Sequence, residues 1–395
     1  MSDGSQKQSA AIELMRGFAE RTGLVSKRPP IRYLWTDAFA VCNLLGLARV
    51  TGEGEYLNLA LRLVDQVHHT LGRHRSDDHR TGWISGLGET EGATHPTRGG
   101  LRIGKRLPER TPGEGFDEQG EWDRDGQYFH YLTKWMRALD QVSRFTRQRH
   151  FNVWARELAE TAYAAFSSLG PASGRRQMVW KMSIDLSRPL VSSMGQHDPL
   201  DGYITCAQLR STASELSSEL EGPSLQRELA GFAAMTAGVN WETADPLGLG
   251  GLLMDACLAA QLGRKGALAD RDLLPTLLSA ALGGIRHYAA QGDLREPAER
   301  RLAFRELGLA IGLQALRLIQ KDVRAEPDRF SRGGRTLRLL EALEPYAPMG
   351  AAIQSFWLSP RNRDTRTWVE HRDINDVMLA TSLAPEGFLI LLPLD

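Results

Sequence analysis

Along most of the chain apolar residues return every three or four positions, the spacing that places them on one face of a helix. The pattern predicts a helix, turn, helix unit over residues 33–50 and 56–71, with Thr51-Gly52-Glu53-Gly54 as the stop between them. A second unit is predicted over 125–146 and 151–166. The two are an internal repeat: Tyr33 matches Tyr128, Leu44 matches Leu139, Thr51 matches Thr146, Tyr56 matches Phe151, Ala60 matches Ala155 and Leu63 matches Leu158, always 95 positions apart. Further helices are predicted over 202–220, 223–237, 247–262, 273–289, 302–319, 336–343 and 373–382. A β-like run is confined to 387–394, which reads as a terminal strap.

Antiparallel helix pairs cannot bury their apolar faces singly, so they must stack side by side. The 95-residue match does not recur down the chain and the connecting loops are long and chemically distinct, which predicts a ring rather than an open solenoid. The expectation is an all-α fold, an (α/α)6 toroid of about six hairpins, with residues 1–395 as a single domain and the long loops at one mouth. The longest connection, 72–120, is rich in Gly, His and Arg; loops of that size in compact domains tend to be functional, so it is expected to cover a cavity.

Composition narrows the partners. Forty-eight basic residues balance forty-eight acidic ones, so nothing in the charge predicts a nucleic-acid or membrane partner, and a neutral polar ligand fits better. Cys42, Cys206 and Cys257 lie far apart among apolar residues and read as buried thiols. The first residues lack an apolar run of signal-peptide length, and the most apolar stretch, 247–262, carries Asp255. A cytoplasmic protein is expected.

The densest chemistry is Glu121-Trp122-Asp123-Arg124-Asp125-Gly126-Gln127-Tyr128-Phe129-His130-Tyr131, where carboxylates stand among aromatic rings just before a helix. Sugar chemistry needs both, carboxylates to move protons and flat rings to meet the apolar faces of a pyranose. Asp123 and Asp125 also suit helix capping, but a helix needs only one N-cap. His130 and Lys134, four apart, share a helix face at the repeat position of Trp35.

Leu34-Trp35-Thr36-Asp37-Ala38-Phe39, followed by Leu47-Ala48-Arg49-Val50-Thr51-Gly52-Glu53-Gly54-Glu55-Tyr56-Leu57, resembles the helix-pair signature of the six-hairpin glycosidase-like superfamily, whose fold is the (α/α)6 toroid. The chain is also similar to an uncharacterised bacterial family within it, through Trp122 to Tyr128, Trp180 to Asp185, Met194 to Gly202 and His371 to Asn375. It lacks the catalytic signature of unsaturated glucuronyl hydrolases and the paired His motif of the N-acylglucosamine 2-epimerase group.

The expected function is that of a carbohydrate-active enzyme, a glycoside hydrolase with two carboxylates; toroids of this resemblance usually invert, which asks for a separation of roughly 6.5–9.5 Å. Candidates are Asp123 or Asp125 against Asp185, Asp198 or Glu306, with Trp35, Trp122, Trp180 and Trp241 as sugar platforms. The alternatives are a sugar epimerase or isomerase using His130, His197 or His371 for proton transfer, and a saccharide binder without turnover. Asp37, His95, Arg98, Arg102, Gln127, Tyr128, Lys181, Gln196, Asp201, Arg305 and Asp373 complete the expected substrate contacts. No cofactor is expected; a metal held by His197 with Asp198 and Asp201 is the weaker reading, since no further His stands at ligand spacing.

Overall fold

The computed structural model describes residues 3–170, 174–330 and 334–394. Its longer helices are α1 (Asp3–Arg21), α2 (Leu34–Thr51), α3 (Gly54–Leu71), α4 (Phe129–Thr146), α5 (Arg149–Phe166), α6 (Asp198–Glu215), α7 (Gln226–Thr236), α8 (Pro246–Arg264), α9 (Leu273–Gln291), α10 (Ala303–Ala325), α11 (Arg335–Leu343), α12 (Ala347–Leu358) and α13 (Arg372–Leu383). The all-α architecture of paired helices is as expected. The internal repeat holds to the residue, since α4 and α5 begin and end 95 positions after α2 and α3. Helices α1 and α12 have no counterpart among the expected elements.

The helices fall into two compact units. One comprises the described residues up to Phe18, Arg49–Gly52 and Gly238–Leu391. The other comprises Ala19–Ala48, Glu53–Ala237 and the described residues from Leu392 on.

In the second unit α4 buries Phe129, Leu132, Trp135, Met136, Leu139 and Val142, a stripe at helical spacing, and packs against α5, which buries Phe151, Ala155, Leu158 and Ala162, and against α6. Asp140, also on α4, is wholly buried and accepts hydrogen bonds from Asn152 Nδ2 (2.9 Å), Gln208 Nε2 (2.7 Å) and Thr212 Oγ1 (3.0 Å), which ties α4, α5 and α6 together. In the first unit α8 and α10 approach backbone to backbone: a Cβ on Gly250 would lie 2.2 Å from the Gly308 carbonyl oxygen. The glycines of the 245–251 segment therefore serve close helix contact. By length and composition α8 could cross a membrane, yet 67% of its apolar window is buried inside the protein, as a core helix requires.

Three expectations change. Residues 125–128 are not helical: Gln127–Tyr128 (β1) pairs antiparallel with Lys181–Met182 (β2), which pairs with Pro189–Val191 (β3), so the helix starts at Phe129. Residues 387–394 form no strand. The segment Glu386–Leu389 is a short helix, and the Leu392 backbone groups are taken by Gln141 Oε1 (3.1 Å) and Arg144 Nε (2.6 Å) instead of a neighbouring strand. The 72–120 connection is not structureless, since it contains the short helices Glu89–Thr94 and Glu118–Asp123 and is stitched by arginines.

Candidate active site

Two neighbourhoods of the second unit hold the charges that the sequence brings forward. The first is an arginine-carboxylate network that fixes the long loop. Asp125 is fully buried and accepts from Arg102 Nη1 (2.6 Å), Arg75 Nη1 (3.3 Å), and the backbone N–H groups of Gly104 (3.0 Å) and Gly126 (3.1 Å). Both carboxylate oxygens are occupied by these donors, so Asp125 ties the loop together, and it does not cap the helix, which starts at Phe129. Arg102 spends its other nitrogens on the Arg73 and Thr70 carbonyls. Arg80 joins Asp78 (2.7 Å), Glu109 (2.7 Å) and Asp185 (3.0 Å). Burial works against ionising Asp185, but hydrogen bonds from Ser187 and Ser183 outweigh it and, with Arg80, pull its carboxyl to about 2. Asp185 holds a turn, and it is too acidic to carry a proton near neutrality. Gln127 is spent in the same way on the Gly99 and Ile184 carbonyls and the Leu101 N–H.

The second neighbourhood lies on the facing sides of α4 and α6. His130 and Lys134 stand one turn apart on α4, while Asp198 and Asp201 occupy the first turn of α6. Lys134 Nζ donates to Asp201 Oδ1 at 2.7 Å, and Thr133 Oγ1 reaches Asp201 Oδ2 at 3.5 Å. The charges of this pair act on both His130 and Asp198. Asp198 is 4% exposed and its Oδ2 has no hydrogen-bond partner. Burial, reinforced by the Asp201 charge and only partly opposed by Lys134, pushes its carboxyl up to about 7. A Cβ on Gly195 would lie 2.5 Å from Asp198 Oδ2, so only glycine admits the carboxyl in this position. Burial lowers the His130 imidazole to about 4, and its Nδ1 is likewise buried without a partner.

Aromatic rings wall this cluster. The His130 ring stacks on Trp180 (5.9 Å between centroids, 9° between planes) and on Tyr128 (5.4 Å), and meets Trp35 at 6.0 Å and Tyr131 at 4.8 Å. Trp35 Nε1 is a third buried polar atom without a partner. The Tyr33 and Tyr131 hydroxyls share a hydrogen bond of 2.6 Å, and burial raises Tyr33 to about 12 and Tyr131 well above its usual value. Tyr128 and Trp180 also line a cavity of about 590 Å³ with Trp122, whose ring meets Trp180 at 4.8 Å; neither His130 nor Asp198 is among its lining residues.

Of the residues expected at the site, Trp35, Trp122, Tyr128, His130, Trp180, Asp198 and Asp201 are brought together. Asp123 is exposed at the end of the Glu118–Asp123 helix, where its charge reaches Lys105 and Tyr128. Lys181 is buried beneath Tyr128, donating to Glu121 Oε1 (2.9 Å) and to the Glu121 and Arg124 carbonyls. His197 immediately precedes α6, half-buried, and Gln196 is exposed beside it. Asp37 is buried and takes the Tyr33 N–H (2.8 Å) and Arg32 Nη1 (3.4 Å). His95 and Arg98 both bind Glu157 Oε1, at 2.7 and 3.1 Å.

Five expected residues belong to the first unit. Glu306 is buried and gripped at both oxygens by Arg301 (2.8 and 2.6 Å), with Trp357 Nε1 at 2.8 Å, so it is an anchored anion and not an available acid. Arg305 pairs with Asp245, the N-cap of α8. Trp241 is buried; His371 is exposed with Phe304 at 5.7 Å, and Asp373 lies in the first turn of α13. Among the described residues there is no group of three or more His, Cys, Asp or Glu arranged to hold a metal ion.

Sequence reasoning passed over Tyr33 and Tyr131, the Arg110–Glu121–Lys181 link and Gly195. The repeat offers the one signal for the first, because Tyr33 matches Tyr128.

The fold and site together define an all-α protein of helical hairpins in which aromatic rings wall a cluster of His130, Lys134, Asp198 and Asp201. No protein-family model and no curated protein matches the chain. Among solved structures it is similar to cellobiose 2-epimerase from Spirochaeta thermophila DSM 6192 (TM-score 0.46, 9% identity, 94% of this chain and 97% of that one). It is also similar to cellobiose 2-epimerase from Bacillus thermoamylovorans B4167 (TM-score 0.42, 9% identity, 80% and 76%). The roles assigned below come from the side chains of this chain.

Proposed function

We propose that the protein is a saccharide-acting enzyme of the epimerase or isomerase type, moving a proton at a carbon beside a sugar carbonyl with His130 and Asp198. What carries the reading is the Asp198 carboxyl, buried, with one oxygen unpartnered and its pKa at about 7, facing the same Lys134–Asp201 pair as a neutral His130 with a free Nδ1. Between pH 4 and 7 the site then holds one base and one acid, both uncharged. His130 takes the proton from the carbon next to the carbonyl of the open-chain sugar, while Asp198 gives its proton to the carbonyl oxygen; the enediol returns to product when the His130 imidazolium gives a proton back to carbon and the enol proton returns to the Asp198 carboxylate. The Lys134–Asp201 pair positions both groups. Trp35, Tyr131 and Trp180 exclude water, which favours proton transfer between fixed groups.

Hydrolysis is the weaker reading. It needs two accessible carboxyls across a sugar, and of those expected to supply them Asp125, Asp185 and Glu306 are held by arginines or hydroxyls, which leaves the exposed Asp123 as the one candidate to work opposite Asp198.

The experiment is incubation of the full chain with reducing mono- and disaccharides in D2O, followed by NMR. The expected result is deuterium at the carbon next to the anomeric centre together with a new stereoisomer or ketose, lost in His130→Ala and Asp198→Asn. Release of shorter sugars without deuterium at that carbon returns the protein to the hydrolases.

A further inference from the structure

The 590 Å³ cavity has the size of a small-ligand site, and its make-up selects for one kind of ligand. Phe116 and Trp122 are 59% and 49% exposed at it, large rings that a folded chain leaves in water only at a cost, and Trp180 and Tyr128 continue the aromatic surface inward. Its one guanidinium, Arg110, has no nitrogen to spare: Nε donates to Glu121 Oε2 (2.9 Å), Nη1 to the Glu114 carbonyl (3.2 Å) and Nη2 to the Leu190 carbonyl (2.8 Å). Glu121 is shared between Arg110 and Lys181 (2.9 Å), so the three groups are engaged with one another. Glu118 is the exposed carboxylate of the lining.

We infer that this cavity is a subsite for an uncharged sugar unit, so that the substrate is a neutral saccharide of at least two units and not a sugar phosphate or uronate. The rings offer flat apolar area to the C–H face of a pyranose. The hydroxyls of Ser192 and Ser193 and the Glu118 carboxylate stand at the polar side of the cavity. An anionic ligand meets in the lining a guanidinium whose every nitrogen already has a protein partner, and an exposed carboxylate, Glu118. Tyr128 and Trp180 are shared walls, with His130 stacked on both, so a unit bound in the cavity lies next to the acid/base cluster.

The inference rests on the proposed chemistry for its meaning but is tested separately, by titration calorimetry of the full chain with cellobiose, cellotriose, maltose and maltotriose, and with glucose 6-phosphate and cellobiouronate as charged probes. Saturable binding of a neutral member is expected, weakened about tenfold or more by Trp122→Ala. Because Trp122 is half exposed, its replacement leaves the fold intact, which the far-ultraviolet circular dichroism checks. Binding of no neutral member, equal binding of the charged probes, or binding indifferent to Trp122→Ala overturns the subsite. Binding that behaves as expected, without deuterium exchange on any sugar, leaves the subsite standing and sinks the epimerase reading instead.

Discussion

The long-loop network and the α4–α6 face sit in the same unit and use the same residue types, yet they are opposites. Around Asp125 and Asp185 each carboxylate oxygen is met by arginine, hydroxyl or backbone donors, which ties the loop down. Around the buried Asp198 and the half-buried His130 the hydrogen bonding is incomplete, and the groups are pushed toward their neutral forms. A buried polar atom left without a partner costs roughly 1–3 kcal/mol, and Trp35 Nε1, His130 Nδ1 and Asp198 Oδ2 are three such atoms on this face. The densest charge clusters of the unit are thus the fully paired ones, and the proposed chemistry falls where the pairing is incomplete.

The comparison is broken most directly by substitution. Asp198→Asn and His130→Ala are each expected to lower turnover by about 100- to 10,000-fold with the fold retained, measured by exchange rates and circular dichroism. Asp125→Ala should do the reverse. It strands the buried Arg102 without its anion, while Arg75 keeps Asp77, and is expected to cost about 3–5 kcal/mol in urea unfolding; a loss below 1 kcal/mol would contradict the scaffold role.

Acidity sharpens the contrast further. With His130 at about 4 as the base and Asp198 at about 7 as the acid, kcat/KM should follow a bell with limbs near those values. Stability carries the same two marks. Neutral His130 contributes stability that is present above 6.5 and lost as pH falls through about 4, while protonated Asp198 contributes stability present below 3.8 and lost as pH rises through about 7. Asp198→Asn should remove the upper of these two dependences, read from unfolding midpoints between pH 4 and 8. The smallest effect is expected for Arg80→Ala, whose side chain is 26% exposed; its pairs should be worth about 1 kcal/mol or less, with turnover untouched.

The helices were legible because an apolar stripe at a period of 3.6 has few other solutions, and the repeat of α2–α3 in α4–α5 is visible in six matched positions. The His130–Lys134 face was legible for the same reason. Less visible were the fates of Asp123, Asp125, Asp185 and Glu306. A carboxylate two residues before a helix looks like a cap or an acid in one dimension, and only the arrival of Arg102, which comes 23 residues earlier, or of Arg80, 105 residues before Asp185, decides the matter.

By itself, then, the sequence determined the helical class, the pairing of the first hairpins, and the aromatic and charged residue types from which a site could be built. Periodicity and propensity act over one or two turns and are written locally. Which carboxyl is neutral, which arginine is spent and which ring faces which cavity were decided by tertiary structure. A side chain's ionisation depends on how much water it loses and which partners it gains, and both come from distant parts of the chain.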